Sequence, residues 1–207
     1  MVHVPIPRFG AFFDSINDIC LRLMPRVVET DFNLVVQSDG FAVNAATWDD
    51  RFLAHDYIGA PWAAWERLPR YEGQPLVGNG GFSLRSRRLY AALRAIEPRW
   101  DTAHWQDDPR LAEPHHTVPD HTLPGRPPAI PEDVLICLWY RDVLERSHGI
   151  RFCDPDLAMQ FSVETITRAT RPWLGRSFGF HGARARQHYA IPTLGELVPT
   201  LQASTAA

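Results

Sequence analysis

Four short stretches of the chain carry side chains able to do chemistry. Asp39 closes the apolar run Phe32-Asn33-Leu34-Val35-Val36 within Gln37-Ser38-Asp39-Gly40, and Glu132 and Asp133 open an apolar-periodic stretch behind Pro131. Gly78-Asn79-Gly80-Gly81 leads into Phe82-Ser83-Leu84-Arg85-Ser86, and His181 follows Ser177-Phe178-Gly179-Phe180. Carboxylates and imidazoles accept protons and ligate cations, while glycines let backbone come close to a ligand. Each stretch also has a structural reading that residue types alone leave open. Asp39 before a glycine is a common turn residue, Glu132 and Asp133 complement a helix dipole, the glycines serve a tight turn, and His181 can be a buried structural histidine.

The elements that must position these groups follow from periodicity and punctuation. Phe12, Phe13, Ile16, Ile19, Cys20 and Leu23 have helical spacing within Phe9 to Glu29, and Phe32 to Val36 reads as a buried strand. That strand would deliver Asp39 to a carboxyl edge, where open α/β sheets hold ligands. Asn44 to Leu53 reads as a short helix or turn, and Asp56 to Trp62 as a short strand ending in a Pro-Trp turn. Phe82 to Ser86 reads as a strand, with Ser86 capping a helix from Arg87 to Ile96. Pro131-Glu132-Asp133 begins a helix through Val134, Leu135, Leu138, Trp139 and Val143, with proline first and acids in the first turn. Ile150 to Cys153 and Ser177 to Gly182 read as further strands. Residues 98–130 hold seven of the 18 prolines and four of the nine histidines, the composition of a loop or lid. The expected organisation is one domain over residues 1–190, followed by a tail over residues 191–207.

Composition narrows the chemistry. All 21 cationic residues are arginine, which excludes every mechanism that needs a lysine: Walker-type phosphate binding, Schiff bases and lysine general bases. Any bound anion must be met by arginine, backbone N–H, a helix dipole or a metal. A net charge of −3 gives no electrostatic case for nucleic acid as a partner. The three cysteines, Cys20, Cys137 and Cys153, form no C-x-x-C pair and stand in apolar settings, so they read as buried inert thiols. His104, His115, His116 and His121 lack the tight Cys/His spacing of structural zinc. Neither a leader nor a run long enough to span a bilayer is present, so a cytoplasmic location is expected, with peripheral membrane association open.

Taken as an ordered set, the blocks carry a resemblance. Gln37-Ser-Asp-Gly-Phe41, Trp48-Asp-Asp-Arg-Phe-Leu53, Asp56-Tyr-Ile-Gly-Ala-Pro-Trp62, Val77-Gly-Asn-Gly-Gly-Phe-Ser-Leu-Arg-Ser86, Pro131-Glu-Asp133 and Phe178-Gly-Phe-His-Gly182 resemble those of a family of glycosyltransferase-like proteins related to the GT-A fold. The resemblance implies an α/β fold: a single GT-A-like domain with a mixed central sheet flanked by helices. It implies a glycosyltransferase that moves a sugar from a nucleotide-sugar donor to a saccharide or glycan acceptor, with Mn²⁺ or Mg²⁺ as cofactor. In that pattern Asp39 and His181 are metal ligands, Gln37 stands where the first acid of an Asp-x-Asp motif usually is, and Gly80, Gly81 and Arg85 face the donor. Asp133, with Glu132 beside it, would deprotonate the acceptor hydroxyl. Trp48, Tyr57, Trp62 and Trp65 are aromatics that could stack on sugar faces. Only 38 residues precede Asp39, so the nucleotide-binding half is expected to be shortened, supplied by another chain, or encoded upstream. The alternative reading, from a different class, is a non-catalytic carbohydrate-binding or scaffolding protein with a degenerate glycosyltransferase site.

Overall fold

Pro25, near the end of the first predicted helix, decides how that helix is built. In the computed structural model, which describes residues 12–62, 76–99, 102–112 and 129–191, the stretch runs as α1 (Phe12–Asp18), a π turn (Ile19–Leu23) and α2 (Met24–Val27). Proline has no N–H to return to the preceding turn and its ring crowds a regular helix. The wider π turn, closed by the Met24 N–H on the Ile19 carbonyl, lies immediately before it.

The described residues fall into two compact units, one drawn from Met1–Thr30 and Arg87–Gly149, the other from Asp31–Ser86 and Ile150–Ala207. The first unit is helical. α3 (Arg87–Ile96) buries Leu89, Tyr90, Ala92 and Leu93, a one-sided spacing that seats it against the π turn and α2. The predicted helix after Pro131 is interrupted: α4 (Glu132–Val134), a π turn (Leu135–Trp139) and α5 (Arg141–His148), ended by Gly149 in the left-handed conformation. Part of the Pro/His-rich stretch is anchored here. Trp105 meets Trp139 edge-on at 4.7 Å between centroids, and the Arg110 guanidinium lies 4.1 Å from the Trp139 ring centre. His115, His116, His121 and Trp65 lie outside the described residues, as does the tail from residue 192 onward.

The second unit holds the strands β1 (Phe32–Val36), β2 (Gly40–Ala42), β3 (Tyr57–Ile58), β4 (Phe82–Ser86), β5 (Ser162–Val163) and β6 (Gly179–His181). They form two three-stranded sheets, β1-β4-β3 and β2-β6-β5, in place of the single central sheet the sequence suggests. The first sheet is wholly antiparallel, so the rule that ligands sit at the carboxyl edge of a parallel sheet does not apply to it. The second is mixed, with β2 antiparallel and β5 parallel to β6. Fold class is thus mixed α/β. Ile150 to Cys153 makes only a bridge, between Phe152 and Tyr57. The two most distinctive sequence blocks pair with each other: the Trp62 N–H donates to the Leu76 carbonyl at 3.0 Å and the Gly78 N–H to the Ala60 carbonyl at 3.1 Å.

β4 is buried along its whole length, and its alternation splits its two faces. Phe82 and Leu84 join a core with Phe52, Ile58, Phe178 and residues of α6 (Pro155–Phe161), where Phe161 lies 5.2 Å from Phe52 and 5.4 Å from Phe82. Ser83 and Arg85 occupy the other face. Asp56, 2% exposed, ties β3 to β4 by accepting the Ser86 hydroxyl at 2.6 Å, so that hydroxyl donates to a carboxylate beside the start of α3. No helix among the described residues is long and apolar enough to cross a membrane.

Cys153 belongs to the same core, and burial, with the neighbouring Asp154 charge adding to it, pushes its thiol up to about 12 from an ordinary 9.0. The unfolded chain releases this proton near 9.0 while the folded chain keeps it. The folded state therefore binds more protons between the two values, and this contribution to stability, complete below the lower one, is lost as pH rises toward the upper. Denaturation midpoints of the chelator-treated protein across that interval should fall with pH, and Cys153→Ala should make the fall shallower. An identical slope in the variant would assign the effect elsewhere.

Candidate functional site

Sheet register brings the acid and the histidine together. In β6, His181 stands opposite Gly40 of β2, which places the preceding residue, Asp39, at the same end of the sheet. On the other side Ser162 and Val163 pair with Gly179 and Phe180, so the next residue, Glu164, falls beside His181. The turn from β1 into β2 is closed by the Gly40 N–H on the Gln37 carbonyl at 3.0 Å, and the Gly182 N–H donates to the Asp39 carbonyl at 3.0 Å. One imidazole is thereby held between two carboxylates. Nε2 lies 3.1 Å from Asp39 Oδ1, and Nδ1 lies 3.5 Å from Glu164 Oε1. The His181 side chain is 15% exposed and that of Asp39 37%, so the cluster opens toward solvent at Asp39.

Gly81 makes room for this ring. A Cβ built on Gly81 would lie 2.0 Å from Nε2 and 2.5 Å from both adjoining ring carbons, too close to those carbons for a point in the ring plane. It would fall on the imidazole face, so the ring lies against the Gly81 backbone. Gly40 makes a similar approach, since a Cβ there would stand 2.9 Å from the Gly81 carbonyl oxygen. The turn feeding Gly81 is set by Asn79, a residue type that tolerates the left-handed φ of 64° found here, whose side-chain oxygen accepts the Gly81 N–H at 3.2 Å. The Gln37 N–H in turn donates to the Gly81 carbonyl at 2.8 Å. Asp39, Gln37, Gly80, Gly81 and His181 are therefore one local structure.

Arg85 is expected to face the donor. It is 0% exposed, with Nε donating to Ser83 Oγ at 2.9 Å and Nη2 to the Gly80 carbonyl at 3.2 Å, while its guanidinium lies 5.5 Å from the Tyr57 ring centre. Inward alternation in β4 puts it on the face away from Phe82 and Leu84, where it donates to the carbonyl of Gly80. Tyr57 and Trp62 are likewise buried, at 0% and 6%, and of the described aromatics in that set Trp48, at 38%, keeps an exposed face. Glu132 and Asp133 belong to the helical unit. Glu132 is 4% exposed at the start of α4, and the half-buried Asp133 accepts the Val134 N–H at 2.9 Å.

The donors at the strand ends suit a divalent cation. A carboxylate oxygen and an imidazole nitrogen 3.1 Å apart are spaced as neighbouring ligands of one ion. Glu164 stands at ion-pair distance from the other ring nitrogen, the side on which a ligating histidine usually has a carboxylate. Glu164 was not legible as a site residue, because it follows a two-residue strand with no motif of its own; only the parallel register with β6 reveals it.

A family described as a protein of unknown function (DUF5672) matches residues 15–181, a span that includes Asp39, Gly81, Asp133, Glu164 and His181. No curated protein and no solved structure matches the chain.

Proposed function

We propose, from the premise that the chain belongs to the DUF5672 family of proteins of unknown function, that it is a glycosyltransferase of GT-A-like fold acting in the cytoplasm. It transfers a sugar from a nucleotide sugar to a saccharide or glycan acceptor and depends on Mn²⁺ or Mg²⁺. The observation that carries this reading is the 3.1 Å approach of Asp39 Oδ1 to His181 Nε2, backed by Glu164 at 3.5 Å from Nδ1.

Asp39 and His181 would hold the cation. When bound, a divalent cation there supplies positive charge to the diphosphate that departs from the donor sugar, a need made sharper by the absence of lysine. The Glu164 carboxylate, 3.5 Å from Nδ1, would favour a proton on that nitrogen and leave the Nε2 lone pair for the cation. Arg85 and Ser83 hold the glycine turn from beneath, and Gly81 keeps the ring in place. Arg184 and Arg186, on α7 (Ala183–His188) two residues beyond His181, are the guanidinium groups placed by sequence to share the diphosphate charge. Asp133 is the proposed base for the acceptor hydroxyl.

A thermal-shift screen of sugar nucleotides, each with and without Mn²⁺, tests the reading. Stabilisation by one donor that requires Mn²⁺ is expected. Stabilisation by free glycans alone, indifferent to metal, would instead identify a carbohydrate-binding protein. Glu164→Gln should weaken Mn²⁺ binding by roughly 10-fold to 100-fold, the usual cost of losing an outer carboxylate partner. Calorimetric titration with Mn²⁺ checks this, and an unchanged affinity would remove Glu164 from the site.

A further inference from the structure

A second group of ligating side chains lies in the strand unit, and none of its members belongs to the Asp39–His181 cluster. His55, Cys153 and Asp154 each offer a ligand atom, and these atoms all lie within 4.8 Å of one another, the one such His/Cys/Asp/Glu group among the described residues. Two segments with strong mutual restraints carry them. The Asp56 N–H donates to the Arg151 carbonyl at 2.7 Å and the Cys153 N–H to the Tyr57 carbonyl at 3.2 Å, while the buried Asp56 carboxylate accepts the Arg151 N–H at 2.9 Å. His55 leads into the first of these segments and Cys153 closes the second. Asp154 then caps α6, its Oδ1 accepting the Leu157 N–H at 3.0 Å. The backbone that carries all three side chains is thus held by contacts that need no ligand.

We infer that His55, Cys153 and Asp154 form a site for a zinc-class divalent cation, separate from the Asp39–His181 pair. The donor set makes the choice of metal. Sulfur, imidazole nitrogen and one carboxylate oxygen favour Zn²⁺, whereas Mg²⁺, Ca²⁺ and Mn²⁺ prefer all-oxygen or oxygen-rich shells. His55 Nδ1 lies 3.3 Å from the Arg51 carbonyl, and the tautomer that donates there leaves the Nε2 lone pair for a cation. Cys153 is 1% exposed while Asp154 is exposed, so the ion would sit where the core meets solvent, with three protein ligands and a fourth position for water. Ligation breaks the Cys153 S–H bond and forms an S–metal bond, and the proton passes to solvent. No redox change occurs. Cys20 and Cys137, the other two cysteines, are buried and belong to no such group among the described residues.

Cobalt(II) makes the test specific, because a thiolate–cobalt bond gives an intense near-ultraviolet charge-transfer band that oxygen and nitrogen ligands do not. The full chain, stripped with chelator, is titrated with Co²⁺ and then with Zn²⁺. A saturable band that Zn²⁺ bleaches is expected, present also in Asp39→Asn and absent in Cys153→Ser. His55→Gln, at a half-exposed position that leaves the core untouched, should weaken Co²⁺ at least about 10-fold, and Asp154→Asn should weaken it while keeping the helix cap. Absence of the band in the unmutated chain, its survival in Cys153→Ser, or an unaltered affinity in His55→Gln would each overturn the assignment. Loss of the band in Asp39→Asn would merge the two sites and overturn their separation.

Discussion

Asp39→Asn is expected to abolish Mn²⁺-dependent binding of sugar nucleotides, lowering affinity by more than the roughly 10-fold to 100-fold that loss of an outer-shell partner costs. The fold should survive. Asp39 is 37% exposed, and the contact that fixes its place in the second sheet is made by its backbone carbonyl to the Gly182 N–H. Asparagine keeps both the size of the side chain and its fitness for a turn. What it removes is the charged oxygen 3.1 Å from His181 Nε2. Calorimetric titration of donor in Mn²⁺, with circular dichroism and denaturation run beside it, separates the two effects. Equal donor affinity in the two proteins, both folded, would return Asp39 to a turn residue.

Gly81→Ala should do comparable damage by a different route. The new methyl would stand 2.0 Å from His181 Nε2, well inside contact distance, so the imidazole must leave the Gly81 backbone and with it the 3.1 Å approach to Asp39. Overpacking of this kind costs about 1–3 kcal/mol. The expected phenotype is a measurable loss of stability joined to loss of metal-dependent donor binding. A double variant tells the cause. In a His181→Ala background the clash partner is gone, so adding Gly81→Ala should cost markedly less than it does alone, a non-additivity that marks direct contact. Full additivity in denaturation would mean that Gly81 is constrained by something other than His181.

These two residues also show where sequence reasoning reached. Asp39 and His181 could be read as strand-end groups because each follows a run with clear β character, and the structure places them in one cluster. Glu164 escaped notice because β5 is two residues long and shows no alternation; its meaning comes from a parallel register that no local pattern encodes. Two sheets were read as one for a related reason. Gly40 to Ala42 is three residues long and turns off β1 through Gln37 to Gly40, so the change of sheet happens inside a segment too short to carry a period. Charge alone does not reveal that Arg85 is buried: both faces of β4 are covered, and a guanidinium with Ser83 and the Gly80 carbonyl as acceptors is tolerated inside. The interrupted helix after Pro131 was legible in its start and in its apolar positions, but not in the π turn that shifts its register at Leu135–Trp139. Cys153 was read as inert, and on its own it is, held protonated by burial; only the side chains of His55 and Asp154 beside it suggest otherwise.

The central claim is that the Asp39–His181 cluster serves glycosyl transfer, and its most direct test is release of nucleoside diphosphate from a panel of sugar nucleotides with Mn²⁺. The account predicts release from at least one donor, lost on chelation and in Asp39→Asn, and lost in Asp133→Asn with donor binding retained. No release from any donor by the folded, Mn²⁺-saturated chain, with a saccharide acceptor mixture present, would contradict it.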